Sequence, residues 1–363
     1  MKIAILSHLK FPICQPFAGG LERHTHELTR SLRERGHHVV LFAAEGTDPA
    51  LHPVTICAPT GEARGEDEAR DAQIDPLEAA AYAAIMDQVD CGGFDVVHNN
   101  CLHPLPLERA QGLGAPMVTV LHTPPFSPFV NGVRAAAGRQ PIVAVSDALA
   151  REWEEIVPDV AVVENGVDLL GFAYRSHAPE PRYAIWSGRV VPEKGLHLAI
   201  DAARLAGLEL RFAGPRTAAA YWAEEIAPRL GPGIVDLGHL GQAELAAKLG
   251  AASVAVTTPR WEEPFGLVVV EALACGTPVA GFRRGALPDI LDQRTGRLAD
   301  PDNVRDLARA ISEAAHLSRA ACRERVETAY DLQVMIDRYE TLYRTVRRRP
   351  VAAVHSLAVG VDA

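Results

Sequence analysis

No Cys-x-x-Cys pair occurs in these 363 residues, and the six cysteines (Cys14, Cys57, Cys91, Cys101, Cys275, Cys322) are scattered. That pattern argues against a zinc ribbon or a disulfide framework and suits a reducing, cytoplasmic compartment. No apolar run reaches the roughly 18 residues needed to span a bilayer, so the chain is expected to be soluble or at most peripheral at a membrane. Basic residues form no block until Arg347, Arg348 and Arg349, and the net charge is -10, which argues against nucleic acid as a partner. The Gly-x-Gly-x-x-Gly dinucleotide fingerprint is missing too. Residues 1–6 begin directly in a strand-like run, so no signal peptide is expected ahead of the fold.

What is present is the alternation of a large α/β protein. The length suggests two domains, and 48% hydrophobic with 23% charged residues is enough apolar matter for a sizeable core. "KIAILS" (2–7), "HHVVLFA" (37–43), "FDVVHNN" (94–100), "APMVTVLHT" (115–123), "PIVAVSD" (141–147) and "DVAVVENGVD" (159–168) read as strands. Helical patterns lie between them, such as "LERHTHELTRSLRERG" (21–36), where Leu21, Thr25, Leu28 and Leu32 share a face and Gly36 stops the helix. A second series follows the Pro- and charge-rich link "RSHAPEPRY" (175–183): "YAIWSG" (183–188), "LELRFAG" (208–214), "GIVDLG" (233–238), "SVAVTTP" (253–259) and "TPVAGF" (277–282). Strands separated by helices imply parallel βαβ units, so two doubly wound Rossmann-like domains are expected, 1–177 and 178–330. A last helix, 331–346, can pack on either half. Residues 61–90 are acidic and alanine-rich and read as a loop leading into a helix with a solvated face, and the tail after Pro350 as poorly ordered.

In an open parallel sheet, ligands gather beyond the carboxyl ends of the strands. Beyond "VTTP" stands "EEPFGLVVVEALACGTPVAG" (262–281), with Pro264 or Phe265 expected to open a helix. Gly266 permits close approach to the backbone, and the amides of Phe265, Gly266 and Leu267 would form an anion site at the helix N-terminus. A carboxylate there, Glu263, repels phosphate but accepts well from sugar hydroxyls, and Glu271 along the helix would suit a second sugar such as a ribose. Read blandly, Glu263 is a helix-start charge and Glu271 a solvated helix residue. Eight helical residues rise roughly 12 Å, more than the separation of hydrolytic carboxylates, so a glycosidase pair is disfavoured. In "SGRVVPEKGLHLAI" (187–200), Arg189 and Lys194 flank a turn and suit a diphosphate. Gly19 and Gly20 open the first long helix, where a phosphate or sugar could approach. His122 in "VLHTPP" can hold a hydroxyl or serve structure. His98 and His103, with Cys101 nearby, suggest metal ligands, but a coherent third and fourth ligand is missing.

"GGLERHTHELTRSLRERGHHV", "FDVVHNN", "VAVSDAL", "VENGVD", "SGRVVPEKGL" and "PRWEEPFGLVVVEALACGTPVA", in that order, resemble the retaining glycosyltransferases of family four over nearly the whole chain. The resemblance implies a GT-B fold with two domains facing a central cleft, the last helix crossing back onto the first. It implies that Glu263 binds hydroxyls of the donor sugar and Glu271 the ribose. Arg189 and Lys194 would hold the diphosphate with the amides of Phe265, Gly266 and Leu267. His122 would face the transferred sugar, with Gly19 and Gly20 bordering the cleft. Asn100 stands where many relatives carry a second histidine, Ala286 where glycine is usual, and no Asp-x-Asp follows a strand. The expected reaction is transfer of a sugar from a nucleotide-diphosphate donor to a hydroxyl of a small-molecule or oligosaccharide acceptor. It would retain configuration, with Glu263 and His122 at the reacting sugar and neither metal nor cofactor. Domain closure would exclude water. An epimerase or hydrolase on the same fold, or a non-catalytic nucleotide-sugar-binding protein, are the alternatives. The loop where the family seats its base, "DLGHLGQAEL" (236–245), offers His239 for stacking and no carboxylate at its tip, which favours a UDP-sugar over a GDP-sugar.

Overall fold

The computed structural model describes residues 1–61, 68–158 and 160–348, with side chains in the second span from 73 onward. The expected tail after Pro350 and part of the 61–90 segment lie outside these residues. The chain divides into two compact units, Met1–Glu164 with Ile336–Ala363, and Asn165–Met335. Unit 1 carries the strands β1 (Lys2–Leu6), β2 (His38–Ala43), β3 (Val54–Thr55), β4 (Val96–Asn99), β5 (Met117–Leu121), β6 (Ile142–Ala144) and β7 (Ala161–Val162). They form a parallel sheet of order β3-β2-β1-β4-β5-β6-β7. Unit 2 carries β8 (Tyr183–Ser187), β9 (Glu209–Ala213), β10 (Ile234–Asp236), β11 (Val254–Thr257), β12 (Val279–Phe282) and β13 (Gly296–Ala299), parallel in the order β10-β9-β8-β11-β12-β13.

Both sheets are doubly wound. The order reverses between β1 and β4 in one and between β8 and β11 in the other, and each reversal opens a crevice at the strand carboxyl ends. The central strands are buried on both faces: Ile3, Ala4, Ile5 and Leu6 of β1 and Ala184, Ile185 and Trp186 of β8 are 3% exposed or less. That burial explains why these strands read as continuous apolar runs rather than alternating ones.

Two expectations need correction. The boundary falls after Glu164, ahead of the Pro-rich link, because residues 165–175 bond into unit 2. Val167 N donates to Tyr330 O (2.9 Å), Leu332 N to Val167 O (3.0 Å), and Arg175 N to Cys275 O (3.1 Å). The chain rejoins unit 1 at Ile336, inside the helix Leu332–Arg347. There Arg35 pairs with Asp337 (2.5 Å) and His37 with Glu340 (2.7 Å). The helix Glu68–Cys91 is not merely solvated: Tyr82, Ile85, Met86 and Val89 pack into the core beside Phe42 and Val97. Their three-to-four spacing gives that helix an apolar stripe within an acidic segment. Among the described residues, no helix is long and apolar enough to cross a membrane.

Candidate active site

In unit 2 the crevice between β8 and β11 receives the segments that follow those strands. After β8, Gly188 leads to Arg189, half-buried, and to a one-turn helix Pro192–Lys194. Gly195 then turns left-handed (φ 65°) and the helix Leu196–Ala206 begins. This turn is clamped to the end of β11. The Thr258 hydroxyl lies 2.9 Å from both the Lys194 and the Gly195 carbonyl oxygens and accepts from Trp186 Nε1 (3.1 Å), while Arg260 N donates to Glu193 O (2.8 Å). A Cβ on Gly195 would meet Thr258 O at 2.3 Å, so the close approach requires glycine here.

The clamp brings together charges distant in sequence. Lys194 Nζ donates to Glu263 Oε2 at 2.6 Å, Trp261 Nε1 donates to the same oxygen at 3.1 Å, and the ammonium lies 5.0 Å from the Trp261 ring centre. The lysine and glutamate side chains keep 23% and 15% exposure, enough to reach a ligand. The backbone of Glu263 is held as well, its carbonyl accepting from Ala286 N (2.9 Å).

The helix after Glu263 starts later than the proline implies. It runs Leu267–Ala274, and Gly266 is its N-cap in the left-handed region (φ 95°), with no side chain capping the first turn. Pro264 is therefore not a first helical residue; a positive φ at Gly266 breaks the helical path before it. The amides of Phe265 and Gly266 belong to the preceding turn and that of Leu267 to the helix. The Phe265 ring is buried against Tyr330, 5.8 Å between centres, so only its backbone is open to a ligand role. Glu271 is 3% exposed within the run Val269–Val270–Glu271–Ala272–Leu273, which removes the reading of a solvated helix residue. Glu263 lies ahead of the helix and is no helix-start charge either. His239 is exposed on the turn after β10. The two carboxylates flanking that turn are engaged: Asp236 pairs with Arg216 and accepts from Gly238 N (2.8 Å), and Glu244 accepts from Gly241 N (3.4 Å).

In unit 1, Gly19 is the N-cap and Gly20 the first residue of the helix Gly20–Glu34. A Cβ on Gly19 would stand 3.1 Å from Glu22 Oε2, and Glu22 Oε1 lies 3.0 Å from His8 Nε2. His122 follows β5 directly, partly exposed, with Nε2 2.8 Å from Asn100 Oδ1. Buried His98 Nε2 lies 2.9 Å from the same oxygen, and the Tyr343 hydroxyl is 2.7 Å from His98 Nδ1. Burial first, then the neighbouring His24, hold the His98 imidazole at a pKa of about 3. Burial, followed by His24, His98 and His8, likewise pushes His122 well below the ordinary histidine range. Both rings are neutral at physiological pH. The trio considered as metal ligands has other work. His98 is bonded as above, His103 Nδ1 accepts from Leu105 N (3.2 Å) as a helix cap, and Cys101 Sγ contacts His103 O (3.7 Å).

Residues 18–169 match the family model described as Glycosyltransferase Family 4, and residues 173–331 that described as Glycosyl transferases group 1. An MMP alpha-(1->4)-mannosyltransferase of Mycolicibacterium hassiacum is 30% identical, over 86% of this chain and 88% of its own. The chain is a family 4 glycosyltransferase. Glycogen synthase of Mycobacterium tuberculosis is 29% identical to this glycosyltransferase across 91% of this chain and 92% of the relative. Sucrose-phosphate synthase of Thermosynechococcus elongatus shares its fold with a TM-score of 0.78 at 20% identity, covering 95% of this chain and 98% of that one.

Two residues of the glycosyltransferase's candidate site escape sequence reasoning. Trp261 reads as one more apolar residue in "PRWEEPFG", yet its indole N–H orients Glu263. Thr258 reads as a strand-end residue, yet it anchors the Lys194 turn. Neither has a spacing signal; only the reversal of strand order places them.

Proposed function

We propose that this glycosyltransferase takes its sugar from a nucleotide diphosphate, a uridine one in preference to a guanosine one, and transfers it with retained configuration and without a metal. The observation that carries the reading is the contact between Lys194 and Glu263, brought from 69 residues apart to 2.6 Å beside the N-terminus of a buried helix. A diphosphate needs cations and backbone amides, whereas a sugar needs carboxylate acceptors; a nucleotide sugar presents both needs side by side. Lys194 and Arg189 carry the diphosphate charge together with the amides of Phe265, Gly266 and Leu267. That arrangement stabilises the leaving group electrostatically, which is the task a metal would otherwise perform. Glu263 accepts from the sugar hydroxyls and Glu271 from the ribose. His122 accepts from a substrate hydroxyl, and Gly19 and Gly20 leave room for backbone contact.

The leaning to uridine has support at the base loop. Guanine calls for a carboxylate that accepts from N1–H and N2–H₂ together. The neighbouring Asp236 and Glu244 are committed to Arg216, Gly238 and Gly241. His239 supplies an aromatic face. No nucleophile for a covalent glycosyl intermediate is assigned; the leaving phosphate oxygen takes the acceptor's proton on the face it departs from. The acceptor is a small molecule or oligosaccharide. Thermal-shift titration with a panel of nucleotide sugars tests the donor, since the true one raises the melting temperature. Turnover with that donor followed by NMR of the product anomeric proton tests retention. An inverted product, or no stabilisation by any nucleotide sugar, would overturn the proposal.

A further inference from the structure

The side chain of Asn100 is the centre of a closed hydrogen-bond arrangement in unit 1. Asn100 is fully buried, directly after β4. Its Nδ2 donates to Thr25 Oγ1 at 3.2 Å, which turns Oδ1 the other way, toward His98 Nε2 (2.9 Å) and His122 Nε2 (2.8 Å). An amide oxygen accepts and cannot donate, so each imidazole must present a proton at Nε2. For His98 the consequence closes internally. With its one proton on Nε2, Nδ1 carries a lone pair and accepts from the Tyr343 hydroxyl 2.7 Å away, a phenol that burial keeps protonated. For His122 the consequence is different. Its Nδ1 also carries a lone pair, but no described residue hydrogen-bonds to that atom.

We infer that Asn100 is a positioning residue that locks His122 in the Nε2–H tautomer and so presents Nδ1 to the substrate as a hydrogen-bond acceptor only. This rests on the reading that His122 meets the substrate. An acceptor-only nitrogen selects a hydroxyl-bearing sugar carbon and rejects a carboxylate there, because two lone-pair groups would face each other with no proton between them. It also excludes His122 as the acid that protonates the leaving group, in keeping with proton delivery to the phosphate by the acceptor itself. The groups surrounding His122 favour this neutral state. His24 on the Gly20–Glu34 helix packs its ring edge-on at 4.9 Å, and His98 stands on β4. His8 follows β1 and is paired with Glu22, and Tyr339 and Tyr343 on the Leu332–Arg347 helix close over His98.

Long-range proton–nitrogen NMR on histidine-labelled full-length protein reads the tautomers directly. The expected result is a protonated Nε2 and a bare Nδ1 for both His98 and His122 across neutral pH. A protonated Nδ1 on His122 would overturn the inference, since it requires the Asn100 amide to face the other way. Asn100→Ala should release His122 into a tautomer mixture and lower kcat/KM about three- to tenfold, the worth of one neutral hydrogen bond. Because Asn100→Ala can disturb folding, Asn100→Asp supplies an independent readout. A carboxylate still accepts from both Nε2–H groups but stabilises the imidazolium. Activity should therefore persist at high pH and develop an acidic limb that the wild type lacks, as Nδ1 becomes protonated. A pH profile superimposable on that of the wild type would refute the role. If the tautomers are as stated while Asn100→Ala and His122→Ala both turn over normally, the positioning role fails. The donor reading then stands or falls separately on UDP binding by Lys194→Ala.

Discussion

Replacing Lys194 by alanine removes one ammonium with two partners, and the structure separates the consequences. In the free protein Lys194 Nζ sits 2.6 Å from Glu263 Oε2, with side-chain exposures of 23% and 15%. Its loss leaves Glu263 Oε2 held by the Trp261 indole N–H, at 3.1 Å. Both groups reach water, so screening brings the stability cost below the range of a charged hydrogen bond, to about 1 kcal/mol, the upper end for an exposed ion pair. That corresponds to a melting shift of roughly 2–4 °C for a unit of this size. A bound nucleoside diphosphate loses more, because the ammonium would contact phosphate directly: about 1.5–3 kcal/mol, or roughly 10- to 150-fold in Kd. Glu263→Gln should act in the opposite sense on UDP. It removes the anion that competes for the ammonium, so UDP affinity holds or rises while sugar transfer collapses. Isothermal calorimetry with UDP on both variants, at one fixed ionic strength, distinguishes the two effects. Equal UDP affinity in wild type and in folded Lys194→Ala would remove Lys194, and with it the diphosphate assignment, from the site.

If cations and helix amides neutralise the leaving group as proposed, activity should survive saturating EDTA; abolition by EDTA with rescue by manganese would contradict this. His239→Ala should weaken UDP binding by about 0.5–1.5 kcal/mol, an aromatic-stacking contribution, and tight GDP binding with negligible UDP binding would overturn the uridine preference. Stability should fall on acidification before the carboxylates titrate. The folded pKa of His98 is depressed to about 3 from 6.5, so between those values the unfolded chain binds a proton that the folded one does not. Stability therefore rises with pH across that window and is lost as pH falls below about 6.5, by about 2 kcal/mol at pH 5 for this one histidine. His98→Gln should flatten the slope of urea-unfolding free energy between pH 5 and 6.5, and an unchanged slope would count against a neutral buried His98.

The alternation of apolar runs and helical periods was enough to read two parallel, doubly wound sheets, because strands buried on both faces advertise themselves as unbroken Val, Ile and Ala runs. β13, with the residues Gly-Arg-Leu-Ala, and the two-residue β3 carry no such signal; pairing with β12 and β2 at the sheet edges makes them strands. The candidate site residues Lys194, Glu263, Gly266 and His122 were legible as residue types at strand ends, since only a few residue types suit phosphate, hydroxyl and close backbone approach. The geometry that joins Lys194 to Glu263 was not. The meeting of Lys194 with Glu263 follows from β8 lying beside β11, a neighbour relation across 69 residues that local sequence does not encode. Glu271 shows the same division: its lone carboxylate in an apolar run was visible, while its burial came from the packing of the helix that bears it. The start of that helix was misread because proline and glycine each fit more than one turn. The left-handed backbone at Gly266 is what delays the helix to Leu267, and proline and glycine letters alone do not announce it. Asn100 is the sharpest case. As a letter in the sequence it was a departure from a pattern; as a buried amide between two imidazoles it decides where their protons sit.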